Sequence, residues 1–261
     1  MQKRLYDDAD LYQAVFPLDD EEVDFWRTVT RRRPPGPVID IGAGPSPLAV
    51  LIGSSQPVAG GMALALDWCQ PMLKPRVDNT AVARPAPVRA DARALPVAAG
   101  SAAVLMSRLF GVAYAVAHNP AADLPRMAAE VRRVLKPGGI VAFDIPISHH
   151  PAVLEWEEET AELGTGFNYI FHYNELIGHH NFGDVLETEI VVEHDGETST
   201  SEAHLFVFHV RGVLEWATSA GLTDIGFMSC YDTTTLTTHP PADLKRAVMT
   251  GRRDATWPTF L

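Results

Sequence analysis

The fold of this chain is decided by one stretch, Val38-Ile39-Asp40-Ile41-Gly42-Ala43-Gly44-Pro45-Ser46-Pro47. Its first four residues form a short apolar run, which is typical of a buried strand. The glycines that follow allow a tight turn in which the backbone can approach a ligand closely. A strand that ends in such a turn and leads into a helix is the place where doubly wound sheets bind cofactors.

Further apolar runs repeat this strand pattern along the chain. They cover residues 62–66, 88–90, 102–106, 140–143 and 225–229. Helices are predicted between them. One starts at Asp19 and ends before Pro34, and another starts at Asn119-Pro120 and stops at Pro137. Strands that alternate with helices pair in parallel, so the sequence predicts an α/β fold with a doubly wound, Rossmann-like, mostly parallel sheet.

The charge is unevenly distributed along the chain. Residues 137–210 contain no Lys or Arg, fourteen acidic residues and eight of the ten histidines. Within this stretch Leu186–Glu193 alternates apolar and polar residues, Asp195-Gly196 predicts a hairpin turn, and His204–Val210 is a second strand candidate. We therefore expect an antiparallel β flap inserted after the fifth strand.

These patterns divide the chain into four units. Residues 1–36 are expected to form an N-terminal helical lid, and residues 37–146 a cofactor-binding α/β core. Residues 147–211 would form the acidic, His-rich flap. Residues 212–261 would complete the core and add a C-terminal tail.

Composition excludes several classes of function. The chain has 261 residues and a net charge of -12, which disfavours nonspecific binding to nucleic acid or to an anionic membrane. The two cysteines, Cys69 and Cys230, are too few for a disulfide scaffold or a thiolate zinc site. The N-terminus lacks an apolar signal core, and the longest apolar stretch falls short of the roughly 20 residues that cross a bilayer. A reduced, cytoplasmic setting fits these features.

Acidic residues follow three successive strands. Asp40 lies at the end of the first, Asp67 ends the second and Asp91 ends the third. A carboxylate 23 residues after Gly44 suits the two ribose hydroxyls of an adenosine cofactor. The dinucleotide pattern would need a glycine where Pro47 stands, so a nicotinamide oxidoreductase is a distant alternative.

These motifs together resemble the class I S-adenosylmethionine-dependent methyltransferases. The resemblance rests on the glycine turn, on Ala65-Leu66-Asp67-Trp68 with Met72, on Arg89-Ala90-Asp91-Ala92, and on Val134-Leu135-Lys136-Pro137-Gly138-Gly139-Ile140. It covers residues 37–146 and implies a seven-stranded sheet with helices on both faces. The family's last, antiparallel strand has only one candidate after Asp232, the run Thr233–Thr238.

The resemblance also implies roles for individual residues in binding S-adenosylmethionine. Asp40 belongs to the expected cofactor-binding set, and Gly42, Ala43 and Gly44 after it would cradle the methionine moiety and the ribose. Asp67 would bind the ribose hydroxyls. The adenine would lie between Trp68 and Met72, with its amino edge at Asp91 and Ala92, and Ser107 would lie near the sulfonium. Tyr6 and Tyr12 are candidates for a lid on the cofactor. The alternative to an adenine contact for Trp68 is that it is a buried core side chain.

The residues favour a small-molecule acceptor that is methylated on nitrogen or oxygen. His149 and His150 directly follow the fifth strand, where a histidine could act as general base. The flap offers aromatic residues and many acids, which suits an aromatic or cationic acceptor. We predict no metal site, although His172, His179 and His180 with Glu175 or Asp184 form a conceivable ligand set.

Two other functions stay open at this point. The same pocket could cyclise or cleave S-adenosylmethionine instead of transferring its methyl group. The chain could also be a non-catalytic subunit that binds the cofactor or a partner. Neither a nucleic acid nor a membrane is expected as a partner, and a homodimer is one of the oligomeric states that the sequence allows.

Overall fold

The computed structural model of the chain describes residues 5–45, 48, 52, 63–73, 87–149, 159–163, 167–194, 196–229 and 231–254. Of the residues discussed above, Ser46, Pro47, His150, Asp195 and Cys230 lie outside the described residues.

The described residues form five α-helices and eleven strands whose bounds are given below. The helices are α1 (Ala9–Val15), α2 (Asp20–Thr30), α3 (Gly111–Val116), α4 (Pro120–Val134) and α5 (Val210–Ser219) among the described residues. The strands there are β1 (Val38–Ile41), β2 (Ala63–Asp67), β3 (Val88–Arg89), β4 (Ala102–Ser107), β5 (Leu135–Ser148), β6 (Glu159–Leu163), β7 (Phe167–His180), β8 (Gly183–His194), β9 (Glu197–His209), β10 (Leu222–Ser229) and β11 (Arg246–Arg253).

The two predicted helix starts are confirmed and have clear physical causes. At α2 the Asp19 carboxylate accepts a hydrogen bond of 2.7 Å from the backbone N–H of Glu22. At α4 the Asn119 side chain accepts from the N–H of Ala122, and Pro120 occupies the first turn. Each cap satisfies one of the backbone N–H groups that the first turn of a helix leaves without a partner.

Seven strands form the core sheet in the order β3-β2-β1-β4-β5-β11-β10. The strands from β3 to β5 are parallel, whereas β11 runs antiparallel to both β5 and β10. The predicted doubly wound α/β architecture is therefore confirmed. The last strand lies further along the chain than Thr233–Thr238, because Thr233–Thr235 form a 3-10 turn that the Asp232 side chain caps.

The inserted flap is an antiparallel meander of β6, β7, β8 and β9. Its last strand returns to the core, where Phe208 and His209 pair in parallel with Ile147 and Ser148 of β5. Strand β5 therefore belongs to both sheets. The predicted flap after the fifth strand is confirmed, while the division of the chain into four units stays a prediction.

Apolar side chains fill both faces of the core sheet. On one face Phe206 and Phe208 of the flap pack with Trp216 of α5. On the other face Phe25 and Trp26 of α2 are buried, as expected for core residues. No helix among the described residues is long and apolar enough to cross a membrane.

Gly212 sets how closely α5 approaches the flap. A Cβ at this position would overlap the backbone of Phe182, whose carbonyl oxygen also accepts a hydrogen bond of 2.9 Å from the N–H of His209. We expect Gly212→Ala to lower the free energy of unfolding by about 1–3 kcal/mol, because the helix and the flap must move apart. Urea unfolding at equilibrium measures this change.

The matched control is Gly178→Ala in β7. A Cβ there meets only the Val185 side chain, at 3.9 Å, which is an ordinary contact. This variant should therefore unfold close to the wild-type midpoint. Equal midpoints for both variants would show that the close approach at Gly212 does not limit the packing of the flap.

Candidate active site

The carboxyl ends of the parallel strands open into a cavity of about 580 Å³. Small-molecule sites in proteins commonly have volumes of about 300–1,000 Å³. The glycine turn, the end of β2 and the loop after β3 line one part of the cavity. Helix α3, His118 and the flap strands β8 and β9 line another part.

Most of the residues predicted to bind the cofactor line this cavity. They are Tyr12, Gly42, Gly44, Asp67, Trp68, Met72, Asp91 and Ala92. Their individual roles in binding the cofactor stay predictions.

The glycine turn requires glycine for two separate reasons. Gly42 and Gly44 have positive backbone φ angles of 67° and 54°, which side chains disfavour. A Cβ on Gly42 would also lie only 3.0 Å from the Cα of Gly111 in α3. The turn thus places bare backbone against the cavity.

Asp67 connects the end of β2 to the glycine turn. One carboxylate oxygen accepts a hydrogen bond of 2.8 Å from the Gly44 N–H, and the other accepts one of 2.7 Å from the Cys69 N–H. Burial raises the pKa of Asp67, while these backbone hydrogen bonds lower it. The carboxylate is therefore held in place at the cavity wall.

Trp68 is exposed to an unusual degree for its size. Its side chain is 62% exposed, which excludes the alternative of a core residue. The Arg89 guanidinium lies 5.0 Å from the centre of its ring, and Arg89 also donates to the Trp68 carbonyl oxygen. The indole is thus fixed at the cavity edge, whereas Met72, which also lines the cavity, is buried.

Asp91 is held by an arginine that the sequence analysis did not single out. Its two carboxylate oxygens each accept a hydrogen bond of 2.8 Å from Arg93, and hydrogen bonding to Arg93 lowers the pKa of Asp91. Arg93 also forms an ion pair of 2.8 Å with Asp123 of α4. The Asp91 carboxylate lines the cavity with its charge already paired.

The N-terminal segment covers the glycine turn. The Tyr12 ring lies against Gly44, where a Cβ would be 3.5 Å from the ring. Tyr6 lies 5.9 Å from Tyr12 between ring centres, and burial raises the pKa of both phenols, so both are neutral. The N–H of Leu5 donates to the Ser201 hydroxyl at 2.9 Å, which ties this segment to the flap.

A buried ion pair holds the same segment to the core. Arg108, which follows β4, donates to both carboxylate oxygens of Glu22 in α2 at 2.5 Å and 2.6 Å. It also donates to the carbonyl oxygen of Pro17 at 2.8 Å. The Arg108 side chain therefore fixes the connection between α1 and α2, because it bonds to both a carboxylate and a backbone carbonyl oxygen.

Three of the predicted cofactor residues do not line the cavity. Ala43 is buried in the glycine turn, and Asp40 and Ser107 are fully buried at the ends of β1 and β4. Neither carboxylate oxygen of Asp40 nor the Ser107 hydroxyl has a hydrogen-bond partner among the described residues. Burial raises the pKa of Asp40 to about 8, against the opposing effect of Arg108.

The predicted general bases are not brought to the cavity by the described structure. His149 follows β5 with its Nε2 atom buried, and it is not among the residues that line the cavity. His150 lies outside the described residues. The assignment of either histidine as the base stays a prediction.

Two members of the conceivable metal-ligand set, His179 and Asp184, are hydrogen-bonded to each other. Buried Asp184 bonds to Nδ1 of His179 at 2.7 Å and to Nε2 of His209 at 2.8 Å. Within the described part of the chain, no group of three or more metal-ligating side chains is placed to hold an ion.

The structure adds a set of cavity residues that the sequence analysis did not single out. They are His118 after α3, Tyr114 on α3, and Glu187, Glu202 and His204 on the flap. The alternation along β8 was visible in the sequence, but which face of the flap meets the cavity depends on its register against distant segments.

Comparison with known proteins identifies the domain. Residues 39–143 match the family model described as a methyltransferase domain. No curated protein is significantly similar to the chain in sequence.

Solved structures share the fold over almost the whole chain. The methyltransferase CcbJ from Streptomyces caelestis is 16% identical with a TM-score of 0.67, covering 97% of this chain and 99% of its own. The sugar N-methyltransferase KedS8 from Streptoalloteichus is 17% identical with a TM-score of 0.59, covering 97% and 94%. CalS10 from Micromonospora echinaspora, an amino pentose methyltransferase solved with S-adenosylmethionine bound, is 15% identical with a TM-score of 0.54, covering 97% and 98%.

The matched domain contains the glycine turn, Asp67, Trp68 and Asp91. Its sheet continues into the antiparallel strand β11, as the resemblance to this family implied. The chain therefore contains a methyltransferase domain at residues 39–143, and the similar solved structures share the fold around it.

Proposed function

We propose that the protein transfers a methyl group from S-adenosylmethionine to a nitrogen or oxygen atom of a small molecule. The observation that carries this proposal is the single cavity, which extends from the glycine turn to the flap. One continuous volume lets a cofactor at the glycine turn and an acceptor at the flap meet.

The residues at the glycine turn fit the cofactor. Gly42 and Gly44 line the cavity with backbone alone, which leaves room for the methionine and ribose part. The fixed Asp67 carboxylate is an acceptor for ribose hydroxyls. Trp68 lines the cavity and offers a large exposed aromatic surface to a purine.

Bound S-adenosylmethionine supplies a methyl group on a sulfonium, which is already a good leaving group. The chain contributes mainly by holding the acceptor atom in line and by excluding water. Tyr6 and Tyr12 cover the glycine turn. The hydrogen bond from the Leu5 N–H to the Ser201 hydroxyl links this cover to the flap. The cover over the glycine turn and the flap are thus in direct contact.

The cavity favours a small acceptor over a macromolecule. It lies between the core sheet, the N-terminal cover and the flap, and the chain as a whole carries a charge of -12. The fold also accommodates acceptors of sugar size, as KedS8 and CalS10 are described as methyltransferases of such molecules. The low cysteine content, two in 261 residues, supports a reducing, cytoplasmic setting.

Calorimetric titration with S-adenosylhomocysteine tests the cofactor site. We expect micromolar binding by the wild-type protein. Trp68→Ala should weaken it about tenfold through lost stacking, and Asp67→Asn about 10- to 100-fold through lost charge-assisted hydrogen bonds. Mass spectrometry of reaction mixtures then separates methyl transfer, which yields S-adenosylhomocysteine, from cleavage, which yields methylthioadenosine.

The matched control is Leu236→Ala. Leu236 is 60% exposed, like Trp68, but it does not line the cavity, so this variant should bind as the wild type does. A folded wild-type protein that failed to bind S-adenosylhomocysteine would overturn the proposed cofactor site.

A further inference from the structure

One part of the cavity is lined by four ionisable side chains that come from two distant parts of the chain. His118 follows α3, whereas Glu187 lies on β8 and Glu202 and His204 lie on β9. We call these four residues the acceptor mouth. On the proposed function, we propose that the acceptor mouth binds the ammonium group of a primary or secondary amine and that His204 accepts its proton.

The strand register brings the flap residues of the acceptor mouth together. Glu187 lies directly opposite His204 in the β8–β9 pairing, and Glu202 is two residues from His204 on the same strand. Side chains of one strand that are two residues apart point to the same face of a sheet. The three side chains therefore share one face, and that face meets the cavity.

His118 completes the mouth from the core. Its ring lies 5.2 Å from the His204 ring between centroids, at an interplanar angle of 59°. This contact joins the segment after α3 to the flap at the edge of the cavity. His118 and Glu202 are exposed, which places the acceptor mouth where a substrate enters from solvent.

The charge balance of the cavity selects a cation. Its carboxylates are Asp67, Asp91, Glu187 and Glu202, and its arginine, Arg93, is already paired with Asp91 and with Asp123. Among the described residues that line the cavity, no lysine and no second arginine balances the two flap glutamates. A protonated amine supplies the missing charge, since opposite charges attract more strongly in a partly enclosed site than in water.

An ammonium group must lose a proton before it can attack a methyl group. In the proposed step one N–H bond of the ammonium breaks, its electron pair stays on nitrogen, and the proton bonds to an imidazole nitrogen of His204. Imidazole suits this step because it gains and loses a proton near neutral pH. Glu187 stabilises the resulting imidazolium from the neighbouring strand.

The smallest amine tests the binding site independently of the rest of the acceptor. Methylammonium chloride is titrated into the protein loaded with S-adenosylhomocysteine, while NMR follows the imidazole C–H signals of His118 and His204. Methylammonium has two heavy atoms. At the upper limit of about 1.5 kcal/mol of binding free energy per heavy atom, its dissociation constant is roughly 10 mM. Methanol, which has the same size, and sodium chloride at the same concentration should cause no saturable shift of these signals.

Variants assign this binding to the glutamates. We expect Glu187→Gln and Glu202→Gln each to weaken methylammonium binding at least threefold, and S-adenosylhomocysteine to bind both as it binds the wild type. Glu197→Gln, an exposed change on the hairpin of the same flap, is the control and should alter neither. Methylammonium shifts that are absent, or that methanol reproduces, overturn the proposal.

Kinetics on a panel of primary amines and their hydroxyl analogues test the proton transfer. His204→Gln should lower kcat at pH 7 at least tenfold, and the loss should shrink at pH 9, where more amine is free of its proton. The other ionisable groups at the cavity are shared with the wild type: Tyr6, Tyr12, Asp67, Cys69, Asp91, Arg93, Tyr114, His118, Glu187 and Glu202. A wild-type kcat in His204→Gln, or methylation of the hydroxyl analogues alone, overturns the assignment.

The two proposals fail in different ways. Absence of S-adenosylhomocysteine binding to the folded wild type removes the proposed function. Retained S-adenosylhomocysteine binding without methylammonium binding removes only the acceptor mouth.

Discussion

Arg108→Ala is expected to lower the free energy of unfolding by about 3–5 kcal/mol, the usual cost of removing one partner of a buried ion pair. Both Arg108 and Glu22 are almost fully buried, and the change leaves the Glu22 carboxylate without its cation. It also removes the donor to the Pro17 carbonyl oxygen. Urea unfolding at equilibrium gives the magnitude.

The same variant should loosen the N-terminal segment before the whole protein unfolds. The Arg108 guanidinium contacts the connection between α1 and α2, so hydrogen exchange at the amides of Tyr12 and Phe16 should speed up more than exchange in β4. Each of these two N–H groups donates to a backbone carbonyl oxygen, one within α1 and the other at its C-terminal end. Local loosening there would expose the glycine turn to water.

Two controls separate the ion pair from the loss of side-chain volume. Arg211→Ala removes an arginine whose side chain is 91% exposed and paired with Glu215, and it should cost about 1 kcal/mol or less. The double variant Arg108→Met with Glu22→Leu replaces both charges by apolar groups and should recover much of the loss. A single variant Arg108→Ala as stable as Arg211→Ala would contradict the assigned role of the pair.

Asp40→Asn is expected to make the protein more stable at neutral pH, by an amount that grows as pH rises. Burial raises the folded-state pKa of Asp40 from 3.8 to about 8. The folded protein therefore holds a proton that the unfolded chain releases, so the contribution of Asp40 to stability is complete below about pH 4 and is lost progressively up to about pH 8. Each pH unit within this window costs about 1.4 kcal/mol.

The difference between variant and wild type isolates this group, because the other titrating residues are common to both. Between pH 5 and pH 7.5 the advantage of Asp40→Asn should grow by about 3 kcal/mol. Urea unfolding at the two pH values measures it. The same change at exposed Asp243 is the control and should give a constant difference. An advantage of Asp40→Asn that is equal at both pH values would show that Asp40 is ionised in the folded protein.

Much of the core could be predicted from local sequence. The apolar runs, the two helix caps and the glycine turn each have a local physical cause, and the structure contains β1 to β5, α2 and α4 at those places. Strand β5 extends well beyond its predicted bounds at both ends. Leu135 already pairs with β4 before an irregularity ahead of Ile140, and Ile147 and Ser148 pair with β9. The Pro-Gly-Gly turn signal in the sequence coincides with the end of a helix, but no loop separates that helix from the strand.

Features that depend on distant contacts escaped the sequence analysis. Strand β11 carries arginines at both ends and lacks an alternating pattern, yet it pairs with β5 along seven residues. The threonine run has the higher intrinsic preference for strands, but the cap from Asp232 turns it into a 3-10 helix. The acceptor mouth was missed for a related reason, since His118 and His204 meet only after the flap has docked on α3.

The pairing of Ser148 with His209 has a consequence for how such an enzyme changes over evolutionary time. The flap leaves the core and returns to it on adjacent strands, which lie about 4.8 Å apart. Lengthening, shortening or exchanging the hairpins between these two residues therefore leaves the ends of the interrupted domain where they were. The fold can acquire new substrates by replacing one contiguous segment, while the glycine turn and its aspartates stay untouched.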